Sequence, residues 1–444
     1  MRELLRSRIA RNSVWNLFGL AIPLLVGIAL VPVTMRGLGA ARYGLLSLAL
    51  TVLEYSTLFA LGLGPATTKH VASALARNDE TAPDLAIMSM IGHTVMGAIA
   101  GLVVASLATV IVDHVFSVSP ALHDEAVTVF RLLGLMVPAT FLLLSLFGAL
   151  EGASRFGLVN LLRVPISALS FIIPAWAVTH GIGLPTILVA LVVLRIFICA
   201  ILLVVVSLSI PGYRWRWPRD WHGMRALLSF GAWLSVSNLV SPTLVYADRF
   251  LLGHLRGLAA VGLYAAPFDA VMRLLMFPGS LVRAMFPTLS AMHTTEQYES
   301  IRPLYRKAVL LVLLLLCFPL VLLLFFGPRL VGLWLGPQVA AASGTAVRVL
   351  AAGLLFNGAA LIPTTFIAAS GRPDISAKFH LIELPIHLPL AWWLVSRFGI
   401  TGAATAWSIR VVIDSLLLFS AARLLMRRGS KLGAASGPGL VVVT

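Results

Sequence analysis

Apolar stretches of about 20 residues recur from one end of this chain to the other, and that repetition limits what it can fold into. Each is long enough to cross the hydrocarbon layer as a helix, where every backbone N–H and C=O must be satisfied within the segment. About twelve spans are expected, at 12–35, 43–64, 85–112, 127–150, 158–180, 185–210, 226–252, 261–290, 307–326, 346–369, 376–396 and 401–426. Composition closes off the soluble alternative. Of 444 residues, 59% are hydrophobic and 11% charged, too little charge to cover a soluble domain of this length. The expected fold class is an all-α polytopic membrane protein.

A net charge of +16 would suggest nucleic acid as the partner of a soluble protein; here the membrane accounts for it, and no nucleic acid is expected. With the N-terminus inside, 20 of the 33 Lys and Arg fall in inner segments. Five (Arg36, Arg42, Arg256, Arg329 and Arg397) fall in outer loops, which places both termini in the cytoplasm. The basic start, MRELLRSRIARNSVW, runs into an apolar stretch without a small-residue cleavage site, so it reads as a retained first span. Cys199 and Cys317 both lie in apolar spans and suggest no disulfide framework. The longest outer loops are expected near 113–126 and 327–345, neither large enough for a folded domain.

The chain also matches itself at a shift of about 218 residues. GLGAARYGLL (37–46) falls on RGLAAVGLY (256–264), aligning Gly44 with Gly262. Trp15 and Pro23 fall on Trp233 and Pro242, GALEGASRFG (148–157) on IAASGRPDIS (367–376), and HGIG (180–183) on FGIT (398–401). The expected organisation is an N-terminal six-helix half (1–210), a cytoplasmic linker (211–225), a C-terminal six-helix half (226–428) and a disordered tail (429–444). Six helices followed by six in the same orientation are two parallel repeats around a central cleft, where a transporter places its site. The linker's aromatic and basic residues suit membrane lipid headgroups, although interfacial tryptophans in a positive-inside loop explain it as well.

Eight arginines remain within or beside spans, and a charge near the bilayer centre costs roughly 2.5–3.5 kcal/mol on insertion scales. Arg131, Arg249, Arg283 and Arg348 fall near span ends, from which they can snorkel to headgroups. Arg195 and Arg273 are expected near the midplane, with Arg163 and Arg410 somewhat off it. The acids at comparable depth are Glu54, Asp269, Glu383 and Asp414. Asp269 and Arg273 stand four apart on one helix face, as do Arg410 and Asp414. The 218 shift puts Glu54 on Met272, so Glu54, Asp269 and Arg273 are candidates for one network lining a cavity. Asn238 and Asn357 join the cavity candidates as uncharged polar groups within spans. Helix-stabilising ion pairs are an equally good reading of the charged set. Pro23, Pro138, Pro165, Pro242, Pro267, Pro278, Pro363 and Pro385 interrupt spans, and GAIAG (97–101) suits close helix packing.

Signatures of enzymes are missing: there is no phosphate-binding Gly-Lys-Ser loop, no His-Glu-x-x-His, no Gly-x-Ser-x-Gly and no Cys-x-x-Cys. His93 and His387, within spans, read as packed polar residues. No catalytic residue, metal or cofactor is expected.

RNSVWNLFGLAIPLLVGIALVPVTMRGLGAARYGLLSLA resembles the opening of the Wzx-like polysaccharide-biosynthesis flippases. These belong to the multidrug/oligosaccharidyl-lipid/polysaccharide exporter (MOP) superfamily. DRFLLGHLRGLAAVGLYAAPFDAVMR (248–273) and AMFPTLSAM (284–292) resemble that family's Asp-Arg, Gly-Leu turn, Tyr and Pro-x-Leu-Ser pattern. The likeness covers nearly the whole chain. It implies transport, by alternating access, of an undecaprenyl-diphosphate-linked oligosaccharide from the cytoplasmic to the periplasmic leaflet of a bacterial inner membrane. The pathway would be O-antigen, lipopolysaccharide or exopolysaccharide synthesis, with a proton or sodium as coupling ion and polysaccharide polymerase machinery as a partner. Arginine forks suit diphosphate oxygens, so Arg273, Arg163, Arg195 and Arg410 are the expected substrate contacts. The alternatives are a cation-coupled multidrug exporter, many of which use an acid in the first span that 12–35 lacks, and a glycan polymerase or ligase.

Overall fold

Backbone groups that find no water must bond within their own segment, and every described element is indeed helical. The structure, a computed structural model, describes residues 2–60, 62–77, 79–215, 217, 218, 224, 243–295 and 298–435. Its helices begin with α1 (Arg2–Leu58), α2 (Leu63–Ala76), α3 (Ala82–Ser106), α4 (His123–Gly152), α5 (Phe156–Thr179) and α6 (Leu184–Ser209). Helical residues 243–255 precede α7 (Leu258–Met272), a 3-10 turn (Arg273–Leu275) and α8 (Met276–Thr294). The chain then forms α9 (Tyr298–Leu335), α10 (Pro337–Ala369) and α11 (Pro373–Ala435). Trp233, Asn238, Pro242 and most of the expected seventh span lie outside the described residues.

Glycine in the left-handed region sets where α1 and α11 bend. Gly39 (φ 75°) divides α1, and 218 residues later Gly257 (φ 81°) separates residues 243–255 from α7. Gly181 (φ 71°) separates α5 from α6, and 218 residues later Gly399 (φ 55°) divides α11. The repeat inferred from short sequence matches is thus written in the backbone. With α1 and α11 each counted as two, the long helices follow the twelve-span pattern, residues 243–255 being the end of the seventh. Among the described residues, eight helices are long and apolar enough to cross a membrane.

Three expectations need correction. The expected inner segment after residue 64 contains a further helix, α2, which buries Leu63, Ala66, Thr67, Val71 and Ala74 along one stripe. The expected outer loop 327–345 shrinks to Gly336, whose φ of 101° turns the chain between α9 and α10 in one residue. At the other end, α11 stays helical to Ala435, past the expected start of the tail at residue 429. Residues 436–444 lie outside the description.

The chain divides into two compact units, Met1–Pro242 with Gly253–Gly262, and Thr243–Leu252 with Leu263–Thr444. In the first, α2 to α6 bury Val71, Met90, Leu146, Leu150, Val159, Leu202 and Val206 against one another. The expected small-residue contact of 97–101 is present: a Cβ on Gly101 would stand 2.2 Å from the Gly134 carbonyl oxygen, so the two backbones touch. Thr67, Ser89 and Ser145 link their hydroxyls in the same interior, and His93, fully buried, points Nδ1 at the Ser89 carbonyl (2.9 Å). In the second unit, Tyr264, Phe268, Phe366 and Trp407 fill the interior. Leu314, Phe318 and Phe325 of α9 stay exposed, as side chains facing lipid tails must.

Candidate functional site

The charged interior of the second unit starts from two adjacent residues, Asp248 and Arg249, both more than nine-tenths buried. Asp248 accepts the Arg249 backbone N–H at 2.8 Å through Oδ1 and the Tyr264 hydroxyl through Oδ2. Arg249 donates from Nη2 to Oδ1 of Asp269. Its guanidinium lies 5.1 Å from the centre of the Tyr246 ring and 5.4 Å from that of Phe268. Arg249 is therefore not a snorkelling residue at a span end. The Asp269 carboxylate and two aromatic faces take the place of water around the guanidinium, with the Asp248 carboxylate held beside it by the Arg249 backbone N–H.

A second set of groups belongs to α11, on both sides of its bend. Nη1 of Arg410 stands 3.7 Å from Oε2 of Glu383, and Nε2 of His380 stands 3.8 Å from Oδ1 of Asp414. Glu383, His387, Arg410 and Asp414 are all buried. The electrostatic neighbours of Arg410 are Glu383, Asp414 and, from the first set, Asp248. The aromatic chain Tyr264, Phe268, Trp407 lies alongside, with ring centres 5.3 and 6.0 Å apart. Three buried carboxyls (Asp248, Glu383 and Asp414) and the half-exposed Asp269 thus stand with two buried guanidiniums (Arg249 and Arg410) and two imidazoles. Fully ionised, with neutral histidines, the set carries two negative charges in excess. A proton or small cation is what such a cluster can take up.

Of the candidate residues, Glu383 and Arg410 meet, and Asp269 makes its ion pair with Arg249. Arg273 is half-buried at the start of the 3-10 turn, and Glu54 is exposed on the second half of α1. Arg163 donates to Glu151 at 3.0 Å with its guanidinium 4.7 Å from the Phe147 ring centre. Arg195 is half-buried on α6, and among the described residues no acid pairs with it. Asn357 is half-buried on α10, and Asn238 lies outside the described residues. The residues missed are Asp248, Arg249, Tyr264, His380 and His387. Their signal was present: a hairpin turning at Gly257 sets Asp248 and Arg249 opposite Tyr264, one helical turn from Asp269.

Beyond the spans, the start of α11 is fastened by charge. Arg372 donates to Asp374 from Nε (2.9 Å) and Nη2 (3.2 Å), and Lys378 adds a contact of 3.0 Å. The Arg372 hydrogen bond, followed by that of Lys378, holds the Asp374 carboxyl well below the usual carboxylate range.

Comparison with known proteins adds the following. A family model described as "Polysaccharide biosynthesis protein" matches residues 9–293, and one described as "MatE" matches residues 234–393. A Shigella flexneri protein named "Putative O-antigen transporter" is 31% identical over 419 residues, covering 92% of this chain and 96% of that protein. A Haloferax volcanii protein named "Probable flippase AglR" is 23% identical over 195 residues, 43% of this chain and 40% of its own. Among solved structures, an inward-facing multidrug resistance MATE family transporter of the MOP superfamily matches with a TM-score of 0.78 at 16% identity. That match covers 94% of this chain and 99% of the other. The fold is therefore MATE-like, an all-helical membrane protein of two repeats.

Proposed function

Because this chain belongs to the polysaccharide biosynthesis protein family, a multi-pass MOP-superfamily transporter and not an enzyme, we propose that it is a lipid-linked oligosaccharide flippase. It moves an undecaprenyl-diphosphate-linked glycan from the cytoplasmic to the periplasmic leaflet of a bacterial inner membrane, with both termini in the cytoplasm. The observation that carries this reading is the 31% identity, over nearly both whole chains, to the Shigella flexneri protein.

The residue chemistry supports it. A diphosphate crossing hydrocarbon needs cations that stay charged there, and arginine does so while offering paired N–H donors. Arg195 is the favoured contact in the first unit, since no described acid neutralises it. Arg273 is the favoured contact in the second, at a break in the helix. The surplus of carboxyls among Asp248, Asp269, Glu383 and Asp414 supports coupling to a proton or sodium ion.

The test is deletion with leaflet-resolved analysis of lipid-linked glycan. Glycan should accumulate on the cytoplasmic leaflet while surface polysaccharide falls. The MatE match over 234–393 favours one second reading, a cation-coupled drug exporter. Unchanged surface glycan together with lost resistance to cationic drugs would establish that reading and end the first.

A further inference from the structure

Outside the charged interior, the second unit holds a cavity of about 540 Å³ between the start of α9 and the end of α11. One stripe of α9 supplies Arg302, Tyr305 and Arg306. One stripe of α11 supplies Phe419, Ser420, Arg423 and Arg427. The spacings of three and four residues put each group on a single helix face. Among the described residues that line it, four are arginines and none is acidic. The apolar run of α9 begins at Ala308, just after Arg302 and Arg306, and the uninterrupted apolar part of α11 gives way at Arg423, followed by Arg427, so all four arginines stand where an apolar run meets one membrane interface. The positive-inside bias assigns that interface to the cytoplasm.

Tyr305 points to an occupant. It is 7% exposed, held edge-on between Phe366 and Phe419 with ring centres 6.0 and 6.4 Å away. Its hydroxyl is buried without a hydrogen-bond partner among the described residues. A buried hydroxyl left unmatched is costly, and burying it beside guanidiniums suits an acceptor oxygen arriving from outside.

We propose that this cavity binds the phosphate group of a lipid headgroup, with Arg306 and Arg423 bridging its oxygens and the Tyr305 hydroxyl donating to one of them. Lipid is the occupant class because the cavity opens at the boundary of the apolar runs, where a headgroup lies when its chains lie along α9. Two lipids carry that chemistry, a bulk anionic phospholipid and a polyprenyl diphosphate. The site stands on its own geometry whichever glycan the protein carries.

The test is lipid binding to the purified full-length protein by native mass spectrometry, with phosphatidylglycerol and an unglycosylated polyprenyl diphosphate titrated separately and then in competition. Hydrogen bonds to charged groups contribute about 1.5–3 kcal/mol, so Arg306→Gln/Arg423→Gln should weaken the preferred lipid by about tenfold or more. Tyr305→Phe keeps the ring packing and should weaken it severalfold. Lys307→Gln, which removes a neighbouring charge outside the cavity, should change little. The lipid that wins the competition identifies the source. Equal weakening by Lys307→Gln and the double variant would reduce the effect to general surface attraction and overturn the site. So would unchanged binding in Tyr305→Phe and the double variant, both shown to be folded by thermal unfolding.

Discussion

Gly44 and Gly262, aligned with each other in the sequence repeat, touch each other in the first unit, and the contact gives a sharp prediction. A Cβ added to Gly44 would stand 1.8 Å from the Leu258 carbonyl oxygen and 2.8 Å from the Gly262 nitrogen. A Cβ on Gly262 would stand 2.0 Å from the Ala40 carbonyl oxygen and 2.9 Å from the Gly44 nitrogen. The pattern is reciprocal, residue for residue, at the repeat shift of 218. To reach the 3.4 Å at which ordinary contact begins, the backbone must move about 1.6 Å after Gly44→Ala. Overpacking of this kind costs about 1–3 kcal/mol. Replacing glycine by alanine in a helix returns up to about 1 kcal/mol, so the net loss is on the order of 1–2 kcal/mol.

Thermal unfolding in detergent, read by the loss of the monodisperse peak on size exclusion, measures this. Gly157→Ala is the control, because a Cβ there meets nothing within 4 Å. Gly44→Ala and Gly262→Ala should each lower the unfolding temperature, while Gly157→Ala should hold or raise it. The double substitution should cost less than the sum, because the first alanine has already parted the two backbones. If the two losses add fully, or if Gly44→Ala is as stable as Gly157→Ala, the contact is not made as described.

Removing the Arg249 charge leaves Asp248 buried with only its tyrosine and backbone donors, so Arg249→Met should destabilise by about 3 kcal/mol or more in denaturant titration. Asp269→Asn should cost clearly less, because the Asp269 side chain is 45% exposed and Arg249 keeps Asp248 beside it. For Asp374, whose carboxyl is depressed by Arg372 and Lys378, the stabilising contribution is fully present above the unfolded value near pH 4 and fades only as pH falls through the lower folded value. Arg372→Ala should therefore move the acid-side loss of thermal stability to higher pH. Arg273→Ala should abolish glycan export at normal membrane abundance, and Arg273→Lys should restore only part, since an ammonium lacks the paired fork. Full export by Asp269→Asn/Arg273→Gln would remove Arg273 from the substrate path.

The spans were legible because hydrocarbon imposes a length and an apolar composition that few other environments require. The repeat was legible for a related reason: glycine is the residue that takes the positive-φ turns at 39, 181, 257 and 399 without strain, and these fall in two pairs at the same shift of 218. Partner choice among the charges was less legible. A spacing of four suggests Arg273 as the companion of Asp269, yet the ion pair of Asp269 comes from Arg249, 20 residues away across a hairpin. Likewise Arg410 stands against Glu383 on the other side of the Gly399 bend, while Asp414 meets His380. Local spacing states which residues can meet within a helix and is silent on what another helix brings. Arg249 shows the opposite case: distance to a span end predicts a snorkelling side chain, while the neighbouring helix of the hairpin buries it.

Residues 264–287, long and apolar enough to cross a bilayer, carry three charges, Asp269, Arg273 and Arg283, and each has its own explanation. Asp269 is the counter-ion of a buried arginine, so its charge is balanced where it stands. Arg283 is exposed on α8, beyond the break in the helix. Arg273 opens the 3-10 turn, and the reason for that turn lies in the sequence. Pro278 has no N–H to offer the Leu274 carbonyl, and its ring crowds that oxygen, so the helix leaves regular α geometry one turn before the proline. Carbonyls released at such a break need donors, which hydrocarbon cannot supply. A side chain at that position is therefore in a segment that demands polar company, and an arginine there costs less than the same arginine within an unbroken span.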